Sequence, residues 1–241
     1  MSHRTRFVAL AVPVLPVAVL AVLALPALAA KGRKVDLVTT APDFASYGVH
    51  RIAMLPVATY DRNVQAEHAV AGRCGQNLRD AGYRWISALT TREMMQSAFG
   101  DSTVKAVREE ILKAVRVDSL LAPVLCAKLR TDAVLCVRVD QWEQLQVLWN
   151  QPGRPATTVQ LKAALVDSTG TLLWSISGSE TGEGPYHDPS ANPIGVNSSN
   201  LENTPVTGQG GPPSFDDVLN RLFVRWAPLL PRPAEAAEPA K

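Results

Sequence analysis

Residues 131–149 read TDAVLCVRVDQWEQLQVLW, and after the break at 150–155 (NQPGRP) residues 157–174 read TTVQLKAALVDSTGTLLW. In the second run Val159, Leu161, Ala163 and Leu165 alternate with polar Gln160 and Lys162. Period-two alternation is the mark of a strand with one buried face. Asp167-Ser168-Thr169-Gly170 separates that run from 171–179 and reads as a hairpin turn, with Gly170 suited to a left-handed backbone position. The reading is a three-stranded β-meander: a long strand over 133–149, a second over 157–167 and a third over 171–179. On the first strand Val137, Val139, Gln141 and Glu143 alternate with Cys136, Arg138, Asp140 and Trp142, which gives part of it a wet face. Leu172, Trp174 and Ile176 are expected on one face of the third.

Upstream, 50–57 (HRIAMLPV) reads as a buried first strand ended by Pro56. Residues 61–81 fit a helix with Val64, Ala71, Cys74 and Leu78 near one face, stopped by Gly82. A short strand at 83–88 follows. Helices are expected over 92–99 behind Thr90-Thr91, over 103–114 with Val104, Val107, Ile111 and Leu112 inward, and over 119–129 behind Asp118. Residues 215–229 close the domain as an amphipathic helix with Val218, Leu222, Trp226 and Phe215 inward. The order strand, helix, strand, helices, three antiparallel strands, helix implies an α/β domain with a mixed sheet and helices packed on it.

The expected organisation is a signal peptide at 1–29, a linker at 30–49, a single α/β domain over 50–230 and a disordered tail at 231–241. A loop rich in Gly, Pro, Asn and Ser spans 182–213, long enough to be either functional or disordered. The targeting reading rests on Arg4 and Arg6, the apolar run 7–30 and the small-residue site Ala27-Leu28-Ala29. It places the body in the periplasm. The alternative is an uncleaved anchor in the inner membrane formed by 7–30, since about 20 apolar residues span a bilayer.

The net charge is +2. Once Arg4 and Arg6 are set aside, the remaining basic residues equal the 22 acids in number, a balance that excludes a phosphate-neutralising nucleic-acid binder. The three cysteines, Cys74, Cys126 and Cys136, leave at least one thiol free. Cys126 and Cys136 could pair, while the apolar setting of Cys136 points to a buried free thiol.

No G-x-S-x-G elbow, P-loop or C-x-x-C pair occurs. Neither a cofactor nor a metal is expected. His50, His68 and His187 do not share a spacing that would unite them. The candidate functional residues are instead an interaction surface: Arg138, Asp140, Trp142 and Trp149. Trp142 and Trp149 differ in parity, so one of them is expected outside the core. An enzymatic alternative is an exported hydrolase using Asp140, Glu143, Glu180 or His187.

Several segments carry a family resemblance. They are Asp132-Ala133-Val134-Leu135 entering a strand, Trp142 within it, the run 165–174 (LVDSTGTLLW), and the opening strand 52–56 (IAMLP). Together they resemble a bacterial lipoprotein family of unknown function, related in fold to the envelope domains of CsgG, LpoB and the N-terminal part of TolB. The resemblance implies an anticodon-binding-like layered α/β sandwich. It also implies a non-enzymatic role in envelope assembly, secretion or regulation, with other envelope proteins or a second copy of the chain as partners. The lipid-bearing Cys of such lipoproteins is absent, since the first Cys is Cys74.

Overall fold

One carboxylate closes the turn on which the meander depends. Asp167 Oδ1 accepts from the backbone N–H groups of Thr169 and Thr171, both at 2.8 Å, and from the Thr169 hydroxyl at 2.7 Å. Gly170 takes the left-handed conformation, with φ 87°. The computed structural model describes residues 36–191, 204–207 and 210–233. The signal-peptide and anchor readings of 1–30 and most of the tail therefore fall outside the described residues.

Seven strands form one sheet among the described residues: β1 (Leu37–Thr40), β2 (Arg51–Met54), β3 (Ala58–Thr59), β4 (Arg84–Ile86), β5 (Ala133–Leu145), β6 (Ala156–Asp167) and β7 (Leu172–Glu183). The order is β1-β7-β6-β5-β2-β4, with β3 also beside β5. The meander β5–β7 and β1 are antiparallel, whereas β2 runs parallel to both β4 and β5. The expected mixed α/β sheet is thus observed.

Among the described residues five α-helices flank it: α1 (Val64–Asp80), α2 (Ala88–Phe99), α3 (Asp101–Ala114), α4 (Leu121–Leu129) and α5 (Phe215–Trp226). Side-chain oxygens satisfy orphan N–H groups at three helix starts. Asn63 accepts from Ala66 at 3.0 Å, Ser87 from Thr90 at 3.1 Å and Ser214 from Asp217 at 3.1 Å. The cap at Ser87 starts α2 earlier than Thr90-Thr91 suggested, and Thr91 is buried.

Two apolar layers result. On one face α1 and α5 bury Val70, Cys74, Leu78, Val218, Leu222 and Trp226 against Ile52, Met54, Val137, Val139, Leu161 and Ile176 of the sheet. On the other, α2, α3 and α4 bury Met95, Val107, Ile111 and Leu125 against Ala53, Leu55, Val134, Cys136 and Val166. Each fully buried aliphatic side chain contributes roughly 1.5–3 kcal/mol relative to an exposed one.

Several expectations are corrected. The segment read as a linker at 30–49 supplies β1 on the outer edge of β7 and a 3-10 turn, Phe44–Tyr47, that buries Phe44. The strand read over 133–149 ends at Leu145, because Leu148 and Trp149 belong to the connecting loop. The third strand continues to Glu183, past the expected end at 179 and into the stretch read as a loop. Val64 on α1 is exposed, and the inward positions are Ala66, Val70, Cys74, Gly75 and Leu78. A register shift between Leu165 and Val166 turns Leu172 outward while Trp174 and Ile176 stay in the core. All three cysteines are free, buried thiols, so Cys126 and Cys136 do not pair. The start of the tail packs on the domain, where Pro231 O accepts from the Tyr83 hydroxyl at 2.8 Å.

Candidate functional site

The register of β5 decides what the sequence-predicted surface residues can do together. Arg138 pairs with Lys162 on β6, and Val139 pairs with Leu161. A bulge then shifts the register, so that Gln141 pairs with Gln160 and Trp142 with Val159. The extra residue is Asp140. A bulge places two residues opposite one and breaks the alternation. Beyond it, Gln141 and Glu143 share the face of Arg138, while Trp142 joins Val137 and Val139 on the opposite face.

Arg138 is therefore not a wet side chain. It is 8% exposed and holds the end of α3 onto the sheet. Its Nη1 donates to Leu112 O at 2.6 Å, and its Nε donates to Asp140 Oδ1 at 2.5 Å. The Tyr60 ring lies 5.6 Å from its Cζ. Cationic donors at a helix C-terminus satisfy its last carbonyls and its dipole. Asp140 completes the network through Lys162 Nζ at 3.4 Å.

Trp142 stacks flat on Phe215 at the start of α5, with ring centroids 4.4 Å apart and planes inclined by 6°. Trp149 sits half-buried in the β5–β6 loop, edge-on to His187 at 5.1 Å, and its carbonyl lies 2.9 Å from His187 Nε2. Both described ends of the 182–213 stretch meet this loop: Gly153 bridges His187, and Leu148 bridges Pro205. Of the four predicted residues, the structure brings Arg138 and Asp140 together. It places Trp142 on the opposite face and Trp149 at the loop end.

The hydrolase residues are dispersed in the same way. Asp140 faces Arg138 and Lys162, and Glu143 accepts from Gln141 Nε2 at 2.7 Å. Glu180 pairs with Val159 across the ladder, and hence lies on the Trp142 face. There it binds Arg225 Nη1 at 2.5 Å. Arg225 also donates to Asp36 and to Ser179 O, and Trp226 Nε1 donates to Asp36 Oδ1 at 3.1 Å. The Asp36 and Glu180 carboxylates hold the Arg225 guanidinium above its ordinary pKa, with the Asp36 hydrogen bond the largest cause. This pin joins the start of β1 to α5 and β7. The sequence reading did not find it, because Asp36 and Arg225 are far apart in the chain. Among the described residues, no three His, Cys, Asp or Glu side chains are grouped to hold a metal ion.

On the Arg138 face, the distal half of the meander carries half-buried and exposed polar side chains. Its ladder rows are Arg138–Lys162–Ser177, Gln141–Gln160–Ser179 and Glu143–Thr158–Thr181. Leu37 of β1 extends the first row through Ser177 and is 69% exposed. The sequence signal for this face is the run of Thr158, Gln160 and Lys162 between buried neighbours.

No protein-family model and no curated protein matches the chain. Among solved structures, it is similar to the lipoprotein GNA1162 from Neisseria meningitidis at 21% identity, covering 75% of this chain and 96% of that one, with a TM-score of 0.45. A second likeness is to the PelC dodecamer from Paraburkholderia phytofirmans at 20% identity, covering 63% of this chain and 83% of that one, with a TM-score of 0.39. A third is to the hypothetical protein CT253 from Chlamydia trachomatis at 15% identity, covering 73% and 92%, with a TM-score of 0.38. At this distance no residue role passes from them to this chain. Among the described residues, no helix is long and apolar enough to cross a membrane.

Proposed function

We propose that this chain is an exported, non-enzymatic protein of the bacterial cell envelope that works through protein–protein contacts in assembly, secretion or regulation. The observation that carries the reading is the open half of the meander. Sheets in layered α/β domains are covered by helices on both faces, yet here α2–α4 stop at the Arg138 row. Beyond it the sheet presents Gln141, Gln160 and Ser179 beside the Thr158–Thr181 hydroxyl pair at 3.0 Å, with Leu37 and Leu145 as exposed apolar flanks. Polar rims with a few apolar anchors suit non-obligate contacts.

The export half of the proposal rests on the sequence: the basic start, the apolar run and the Ala27-Leu28-Ala29 site. The resemblance of 131–184 to a bacterial lipoprotein family related in fold to envelope domains of the CsgG, LpoB and TolB kind agrees with it. The proposed partners are other envelope proteins, a second copy included.

Cell fractionation with N-terminal sequencing of the tagged full-length protein tests export. The expected result is a periplasmic chain that begins near residue 30. A cytoplasmic chain beginning at Met1 would overturn the reading.

A further inference from the structure

The chain leaves the ends of β2 and β4 toward opposite faces of the sheet. β2 continues along β5 as β3, which feeds α1 in the first layer, and β4 feeds α2 in the second. β2 and β4 are parallel neighbours, so their carboxyl ends lie side by side. In open α/β sheets such a divergence leaves a crevice at the strand ends, and ligands bind there.

The crevice is present. Two adjoining cavities of ≈ 450 and ≈ 240 Å³ share Pro56, Val57, Glu67 and Arg92 as walls. Their size suits a small organic molecule. The apolar lining includes Val57, Val64, Val104, Trp85 and Leu89.

The charges in it are unequal. Arg62, Arg92, Lys105 and Arg108 face it, against Glu67 and Glu109, with His68 at the second cavity. Glu67 is engaged by Arg108 at 3.8 Å and by the Thr59 hydroxyl at 3.3 Å, and Arg108 also donates to Thr59 O. Lys105 and Glu109 lie one turn apart on α3, at the spacing of a helix ion pair. Arg62, Arg92 and Lys105 form no ion pair among the described residues, and Arg62 and Arg92 stand at the capped starts of α1 and α2. Arg62 is held at φ 57°, a conformation uncommon outside glycine. It precedes the capped start of α1. The capped starts of α1 and α2 both border the crevice and add partial positive charge.

We propose that this crevice binds a small organic anion. Arg62 and Arg92 hold its carboxylate or phosphate, and Val57, Val64 and Trp85 receive its apolar body. The proposal is independent of the open sheet face, which lies along the meander and shares no residue with the crevice.

The test is a titration of the purified protein, followed by backbone and indole NMR. Phenyl phosphate, benzoate, inorganic phosphate and benzylamine serve as probes. The expected result is saturable shifts at Arg62, Glu67, Trp85 and Arg92 with phenyl phosphate or benzoate at millimolar concentration or below. Benzylamine should produce none. The double variant Arg62→Gln/Arg92→Gln should weaken binding at least about tenfold, equivalent to about 1.4 kcal/mol. Arg79→Gln, on the exposed last turn of α1, should leave it unchanged. Absence of saturable shifts, shifts centred elsewhere, or equal binding by the double variant would overturn the site. Inorganic phosphate binding as tightly as phenyl phosphate would overturn the role given to the apolar wall.

Discussion

Arg138 illustrates how a charged residue in a strand can be structural. Its guanidinium serves the Leu112 carbonyl and the Asp140 carboxylate while almost wholly buried. Arg138→Ala leaves both acceptors short of a donor, and denaturant unfolding should record a loss of about 2–4 kcal/mol. Arg138→Lys should recover only part of it, because an ammonium cannot fork between the two acceptors. Burial also sets the titration of the thiols. It pushes Cys74 and Cys136 up to about 12 and Cys126 up to about 11, from an ordinary value of 9.0. The unfolded chain releases these protons near 9.0, whereas the folded chain keeps them. Stability is thus fully present below that value and falls as pH rises from it toward the folded-state values. Urea midpoints measured from neutral pH upward should be level at first and then decline. A midpoint that stays flat through pH 10.5 would contradict the assignment.

Among the elements, the legible parts were those fixed by near neighbours in the chain. The 167–170 turn is one, since its carboxylate and its glycine lie within four residues of each other. The helices are another, because caps and apolar spacing are local. The bulge at Asp140 was not legible: nothing in VRVDQWEQ marks where the pairing with β6 slips by one residue. That slip moved Trp142 from the expected wet face to a stack on Phe215. Phe215→Ala should cost about 1–3 kcal/mol and shift the Trp142 indole resonance. Strand β1 is not visible in the sequence because LVTT gains its meaning only from β7 and from the Asp36–Arg225 pin. Gly178 lies under that pin, and a Cβ there would meet the Asp36 carboxylate. Gly178→Ala should therefore destabilise the fold by roughly 1–3 kcal/mol, as overpacking does. Hydrogen exchange should show faster exchange in β1 than in β6.

At the scale of the molecule, the α/β class was legible because the order of elements leaves few layered solutions. The candidate surface was legible only in part. Arg138 and Asp140 do meet, but they serve the fold, and the open face is carried by Gln141, Gln160, Thr158 and Thr181 beside them. The crevice could not be read because its walls come from β2, α1, α2 and α3, whose proximity depends on the whole sheet. The proposed function makes the open half of the meander the working surface of an envelope protein. The most direct measurement is site-specific photocrosslinking in the native cell, with the crosslinker at Gln160 or Thr158 and, as a control, at Glu93 on α2. A discrete adduct with an envelope protein or a second copy is expected from Gln160 and Thr158, and none from Glu93. Adducts absent from the sheet positions, or equally abundant from Glu93, would contradict it.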